Sequence, residues 1–189
     1  MNLSLRTAAI VSGIGLAAMA ILAPIGVMVA LPAGQTGIAA LVVLVVAMLD
    51  IVVAVALFPV IRSGGTLLAA IASATRLVYA AIFATAAGSL AADDPARFQA
   101  IWDAGLLIFG AHLILVGVAA LRSSKLPTWL GILLMIAGAG YVLDSALVLV
   151  APDSPLSLGE FTFIGEVVLL VWLLGWGGRP AKNRTAKKL

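Results

Sequence analysis

Residues 38–61 read IAALVVLVVAMLDIVVAVALFPVI, and residues 62–65 read RSGG. The first stretch is 24 residues long and contains one ionisable side chain, Asp50; the second is a charged, glycine-rich break. A hydrocarbon core about 30 Å thick takes about 20 helical residues to cross. Residues 38–61 therefore read as a membrane span and 62–65 as the turn that ends it. Working outward, the same test finds runs from Thr7 to Leu31, Thr66 to Ala92, Ala104 to Leu121, Thr128 to Ala151 and Phe161 to Trp176. They are separated by loop signals such as Leu31-Pro32-Ala33-Gly34, Asp93-Asp94-Pro95 and Ala151-Pro152-Asp153-Ser154-Pro155. The expected fold is an all-α, polytopic membrane bundle of six transmembrane helices, at about 7–31, 38–61, 66–92, 97–121, 128–151 and 160–177. These form one domain over 1–178, followed by a basic tail over 179–189.

Composition agrees. Of 189 residues, 63% are hydrophobic and 10% charged, whereas a soluble domain is about half apolar and about a quarter charged. Arg6 precedes the first run in the manner of a signal peptide, but the run is longer than a typical signal core and is read as a retained helix. The absence of cysteine excludes disulfide frameworks, thiolate metal sites and cysteine nucleophiles. The single histidine, His112, excludes paired-histidine zinc or haem ligation. No metal and no cofactor is expected. No G-x-S-x-G elbow, P-loop or H-E-x-x-H is present, and no lysine lies within a span, so the sequence argues more against an enzyme than for one.

Lysine and arginine orient the chain, because cytoplasmic loops retain them. With the N-terminus inside, Arg6, Arg62, Arg122, Lys125, Arg179, Lys182, Arg184, Lys187 and Lys188 are cytoplasmic and Arg97 alone is outside. Asp93, Asp94, Asp153 and Glu160 then fall outside as well. The expected location is the inner, cytoplasmic membrane, multi-pass, with both termini cytoplasmic. The net charge of +3 thus reflects topology and gives no reason to expect nucleic acid. The expected partners are the lipid bilayer and, at the basic tail, anionic lipid head groups. A homo-oligomer is compatible with the sequence.

The ionisable groups within the spans carry the functional information, since each charge in hydrocarbon needs a partner, water or a boundary position. Asp103, beside Trp102 and near the start of its helix, reads as interfacial. Asp50 and Arg76 are equidistant from the 62–65 turn, so antiparallel helices hold them at one height, about 15–17 Å from the turn. An ion pair between them is expected. His112 and Glu166 fall about 13–15 Å from the same side by the same ruler. Tyr79, three residues after Arg76, shares its face. Asp144 lies higher, at about 24 Å, with Tyr141 on its own face. For His112 the plain reading is a neutral ring bonded to a backbone carbonyl, and the functional one is a proton carrier. Glu166 reads as a desolvated carboxyl, expected to face the interior where the sixth helix packs against the third and fourth. Gly105, Gly110, Gly131, Gly138 and Gly140 read as close-packing positions, and Pro24 as a kink in the first helix.

Arg76 within the third span, Gly110-Ala111-His112-Leu113 running to Arg122-Ser123-Ser124-Lys125-Leu126-Pro127, then Trp129-Leu130-Gly131, and Gly165-Glu166 followed by Trp172-Leu173-Leu174 resemble a family of bacterial integral membrane proteins catalogued as a domain of unknown function, the 4386 family. The resemblance implies a six-helix bacterial membrane protein and no activity. The residues suggest a buried mid-membrane site of Arg76, Asp50, Glu166, His112, Tyr79, Asp144 and Tyr141 that binds or transports a small molecule or a proton. In that reading Arg76 holds an anionic or carbonyl group, Glu166 or His112 exchanges protons, and Tyr79 donates a hydrogen bond. The alternative is a non-catalytic accessory or assembly subunit whose buried ion pairs are purely structural.

Overall fold

The computed structural model describes residues 4–151 and 163–179. Helix α1 (Leu5–Pro24) continues into a π-helical turn (Ile25–Ala30); α2 (Thr36–Ile61) ends in a 3-10 turn (Arg62–Gly64). Helices α3 (Thr66–Ala91), α4 (Pro95–Leu121), α5 (Thr128–Val150) and α6 (Ile164–Gly175) follow. The fold is all-α, with no strand among the described residues. The beginning of the expected sixth span, the loop acids Asp153 and Glu160, and the basic tail from residue 180 lie outside the described residues.

Local chemistry accounts for the helix ends. The Asp94 side chain accepts from the Arg97 amide at 3.0 Å with proline at the first helical position, so α4 starts on a capped turn. The Ser4 hydroxyl accepts from the Thr7 amide and caps α1 in the same way. Pro24 has no amide to give to the ladder. The expected kink is here a switch of register, with Leu31 N–H reaching Gly26 C=O and Gln35 N–H reaching Ala30 C=O, five residues back in each case. The α2–α3 turn needs both of its glycines. Gly65 has φ +136°, and a Cβ on Gly64 would overlap the Ala119 carbonyl of α4.

Helices α1 to α5 are each long and apolar enough to cross a membrane. Their outward faces carry large bare side chains, including Met28, Leu41, Met48, Val55, Leu67 and Ile136, all more than half exposed. Water would not tolerate such a surface, and lipid covers it without penalty. A sixth crossing was also expected; the described part of its helix, α6, has 12 residues and rises about 18 Å, and the start of that span lies outside the described residues.

Each helix packs on its neighbours in the chain, and α6 packs on both α5 and α1, closing a ring. Among the described residues the expected packing of the sixth helix against the third and fourth is not found; once the others stand in chain order, the open place lies between α5 and α1. Glycines set the tightest joint. A Cβ on Gly110 would come within 2.6 Å of the Gly138 carbonyl and one on Gly117 within 2.7 Å of the Gly131 carbonyl, so α4 and α5 meet backbone to backbone. Gly105 faces Ile82 and Tyr79 of α3 instead. The ring closes through Arg6, whose guanidinium donates to the carbonyls of Leu173 (3.1 Å), Leu174 (2.6 Å) and Gly177 (2.8 Å), capping the end of α6 with a cation.

Candidate functional site

Inside the ring, α2 and α3 present Asp50 and Arg76 to each other, with Nη2 of Arg76 2.5 Å from Oδ1 of Asp50 and both side chains almost wholly enclosed. The equal distance of the two residues from their turn makes this meeting unavoidable once both helices face inward. The contact is one of charge more than of direction, because Oδ1 lies out of line for a hydrogen bond. On the other side Arg76 Nη1 stands 3.3 Å from Nε2 of His112. Nδ1 of His112 is 2.8 Å from the Ala72 carbonyl, which can only accept, so Nδ1 carries the proton and Nε2 accepts from Arg76. The ring is thus neutral, and His112 takes the plain reading that its sequence position suggested. The guanidinium also lies over the Phe109 ring, 5.3 Å from its centroid, in cation–π contact.

Tyr79 lies one turn further along α3, its ring 4.7 Å from that of Phe109. Its hydroxyl accepts from Trp102 Nε1 at 3.3 Å. Trp102 packs onto Phe83 and Phe98, because Tyr79 offers its indole a partner beside an aromatic wall. Tyr141 packs edge-on against Phe109 and so borders the same layer from α5. Glu166 sits in the first turn of α6, where a helix start favours an acid. It is half-buried and within electrostatic reach of Arg76, Asp50 and Tyr79. Asp50, Arg76, Tyr79, His112, Tyr141 and Glu166 therefore converge from five helices. Asp144, three residues beyond Tyr141 on α5, is half-buried and within electrostatic reach of Asp103, which accepts from Gln99 at 2.7 Å.

Three atoms of this layer and its margin are buried without a hydrogen-bond partner: Arg76 Nε, Asp50 Oδ1 and, one turn earlier on α3, Ser73 Oγ. The anion-holding role expected of Arg76 is largely taken up by Asp50 and His112. The carboxylate in the layer without a directly contacting cation among the described residues is Glu166. Among the described residues no cluster of His, Cys, Asp and Glu has the makings of a metal site. Sequence reasoning missed Phe109 and Trp102 as members of the polar layer, since isolated aromatics on apolar helices give no signal of where they point.

The family model described as Domain of unknown function (DUF4386) matches residues 95–177. A protein of Archaeoglobus fulgidus described as uncharacterized is 37% identical over 132 residues, covering 70% of this chain and 79% of the relative. No solved structure matches.

Proposed function

Because the chain belongs to the family described as Domain of unknown function (DUF4386), which brings no activity with it, we propose from the geometry that its polar layer is a mid-membrane site that takes up a proton or a small hydrogen-bonding molecule. The observation that carries this reading is the pair of buried polar atoms without hydrogen-bond partners, Arg76 Nε and Ser73 Oγ, in a ring that also holds Glu166. A purely structural lock has no use for unspent hydrogen-bonding capacity, which is costly in a medium of low dielectric. Asp50 balances Arg76 and His112 is neutral, so Glu166 is the group whose charge is free to change. It is the acid that exchanges the proton, while Arg76 and Tyr79 orient the guest.

In this proposal residues 1–178 form one membrane domain with both termini cytoplasmic in the inner membrane, and the tail from 179 rests on anionic head groups. The gathering of Arg6, Arg62, Arg122, Lys125 and Arg179 at one end of the bundle supports that orientation.

The test is proton flux. In vesicles with a trapped pH-sensitive dye, the reconstituted protein should collapse an imposed pH gradient faster than empty vesicles, and Glu166→Gln should remove the excess rate. Wild-type protein that leaves the gradient as empty vesicles do rules out proton transfer. The second reading, a structural subunit, draws on the near-complete engagement of the Arg76 guanidinium by Asp50, His112 and Phe109. It expects Arg76 and Asp50 variants to change stability alone.

A further inference from the structure

The basic end of the ring encloses a second feature, unconnected with the charge balance of the polar layer. A cavity of about 440 Å³ opens there between the start of α1, the end of α2, the α4–α5 loop and the end of α6. One wall is apolar, built from Leu5, Val60, Leu126 and Trp172. The rim is cationic and hydrogen-bonding, with Ser124, Lys125 and Arg179 around it and the indole of Trp176, 61% exposed, at its edge.

We propose that this cavity binds the phosphate-bearing head group of an anionic phospholipid, with the glycerol and the first acyl carbons against the apolar wall. Charge gives the sign of the ligand. Among the described residues this end of the bundle holds Arg6, Arg62, Arg122, Lys125 and Arg179 and no carboxylate, and the one ion pair is that of Asp50 with Arg76 in the layer above. Arg6 is spent on the carbonyls of α6, which leaves Lys125 and Arg179 at the cavity without a counter-charge among the described residues. Lysine and arginine supply N–H donors that match phosphate oxygens, and the Ser124 hydroxyl adds one more. The wall gives the rest of the ligand. Free phosphate would leave Leu5, Val60, Leu126 and Trp172 facing water, whereas an amphiphile satisfies both sides of the cavity at once. The volume lies within the range of sites for compact organic ligands, about 300–1,000 Å³. The position suits a lipid, because helix ends and an exposed tryptophan belong at head-group depth.

Binding of short-chain phosphatidylglycerol, phosphatidylcholine and inorganic phosphate to the full-length protein in detergent, followed by native mass spectrometry and titration, tests the site. Three proteins suffice: wild type; Lys125→Gln with Arg179→Gln; and a tail variant with Lys182, Arg184, Lys187 and Lys188 all changed to Gln. The expected result is one phosphatidylglycerol retained by wild type and by the tail variant, with affinity roughly 30-fold lower in the Lys125/Arg179 variant, the loss due to two near-surface charges. Both of those residues are exposed, so the fold survives their replacement. Equal retention of phosphatidylcholine, undiminished binding by the Lys125/Arg179 variant, or loss of binding in the tail variant alone would overturn the proposal. Displacement by inorganic phosphate at the lipid's own affinity would also overturn it, by making this a free-anion site.

Discussion

At the level of single residues, Arg76 decides the most. A guanidinium keeps its proton at any depth, so removing it leaves Asp50 buried without its counter-charge. Arg76→Ala should lower stability by about 3–5 kcal/mol, read as a fall in the thermal midpoint in detergent, and adding Asp50→Asn should restore part of it. Arg76→Lys should rescue poorly, because a single ammonium cannot reach Asp50 and His112 together while resting on Phe109. His112 offers a second check. As the only histidine it gives one set of imidazole signals, and ¹⁵N NMR should find the proton on Nδ1. A proton on Nε2 would mean that the bond to Ala72 is absent. The Asp50 contact was readable in the sequence because a hairpin turns residue numbers into heights. The bond from His112 to Ala72 was not, because it depends on how α4 is rotated about its own axis, and helices that are apolar all round carry little pattern to fix that rotation.

At the level of helices, the α4–α5 joint is the tightest interface. Gly110 pairs with Gly138 and Gly117 with Gly131, each separated by two turns on its own helix, so the antiparallel backbones touch at two successive levels. Gly117→Val should force them apart and cost several kcal/mol, as overpacking against backbone does, visible as loss of the folded peak in gel filtration. Gly88→Ala is the contrasting case. Nothing lies within 4 Å of its would-be Cβ, so replacement should leave stability equal or raise it by up to about 1 kcal/mol through helix propensity. The sequence marked Gly110, Gly131 and Gly138 as packing positions, but Gly117 escaped notice until its partner across the interface was known. Pro24 was legible as an irregularity, whereas the form taken, a π-turn, depends on where the freed carbonyls find amides. The start of α4 lies two residues before the expected position 97, because Asp94-Pro95 combines a cap with a preset φ.

At the level of the whole molecule, the charge asymmetry of the loops is the legible feature. The Ser63 hydroxyl lies 2.6 Å from that of Ser123, so the two loops share one end of the bundle. With no native cysteine to interfere, single cysteines at Ser63 and Ser123 should be labelled from the cytoplasmic side only, and one at Gly34 or Asp93 from the opposite side only. Reaction of Ser63→Cys with an external impermeant reagent would reverse the proposed orientation. The path of α6 could not be read in the same way, because a short apolar run records its length and not its neighbours. The clasp of Arg6 on α6 has a consequence for how the molecule is made. Synthesis delivers the first five helices as an arc that already contains the Arg76–Asp50 pair, open along one side to the surrounding acyl chains. The arc becomes a ring once α6 docks, bringing Glu166 with it, and its final turn is secured by Arg6 from the first turn of α1. On that side the described part of α6 lies between α5 and α1, its end fixed by Arg6 and by packing against α1.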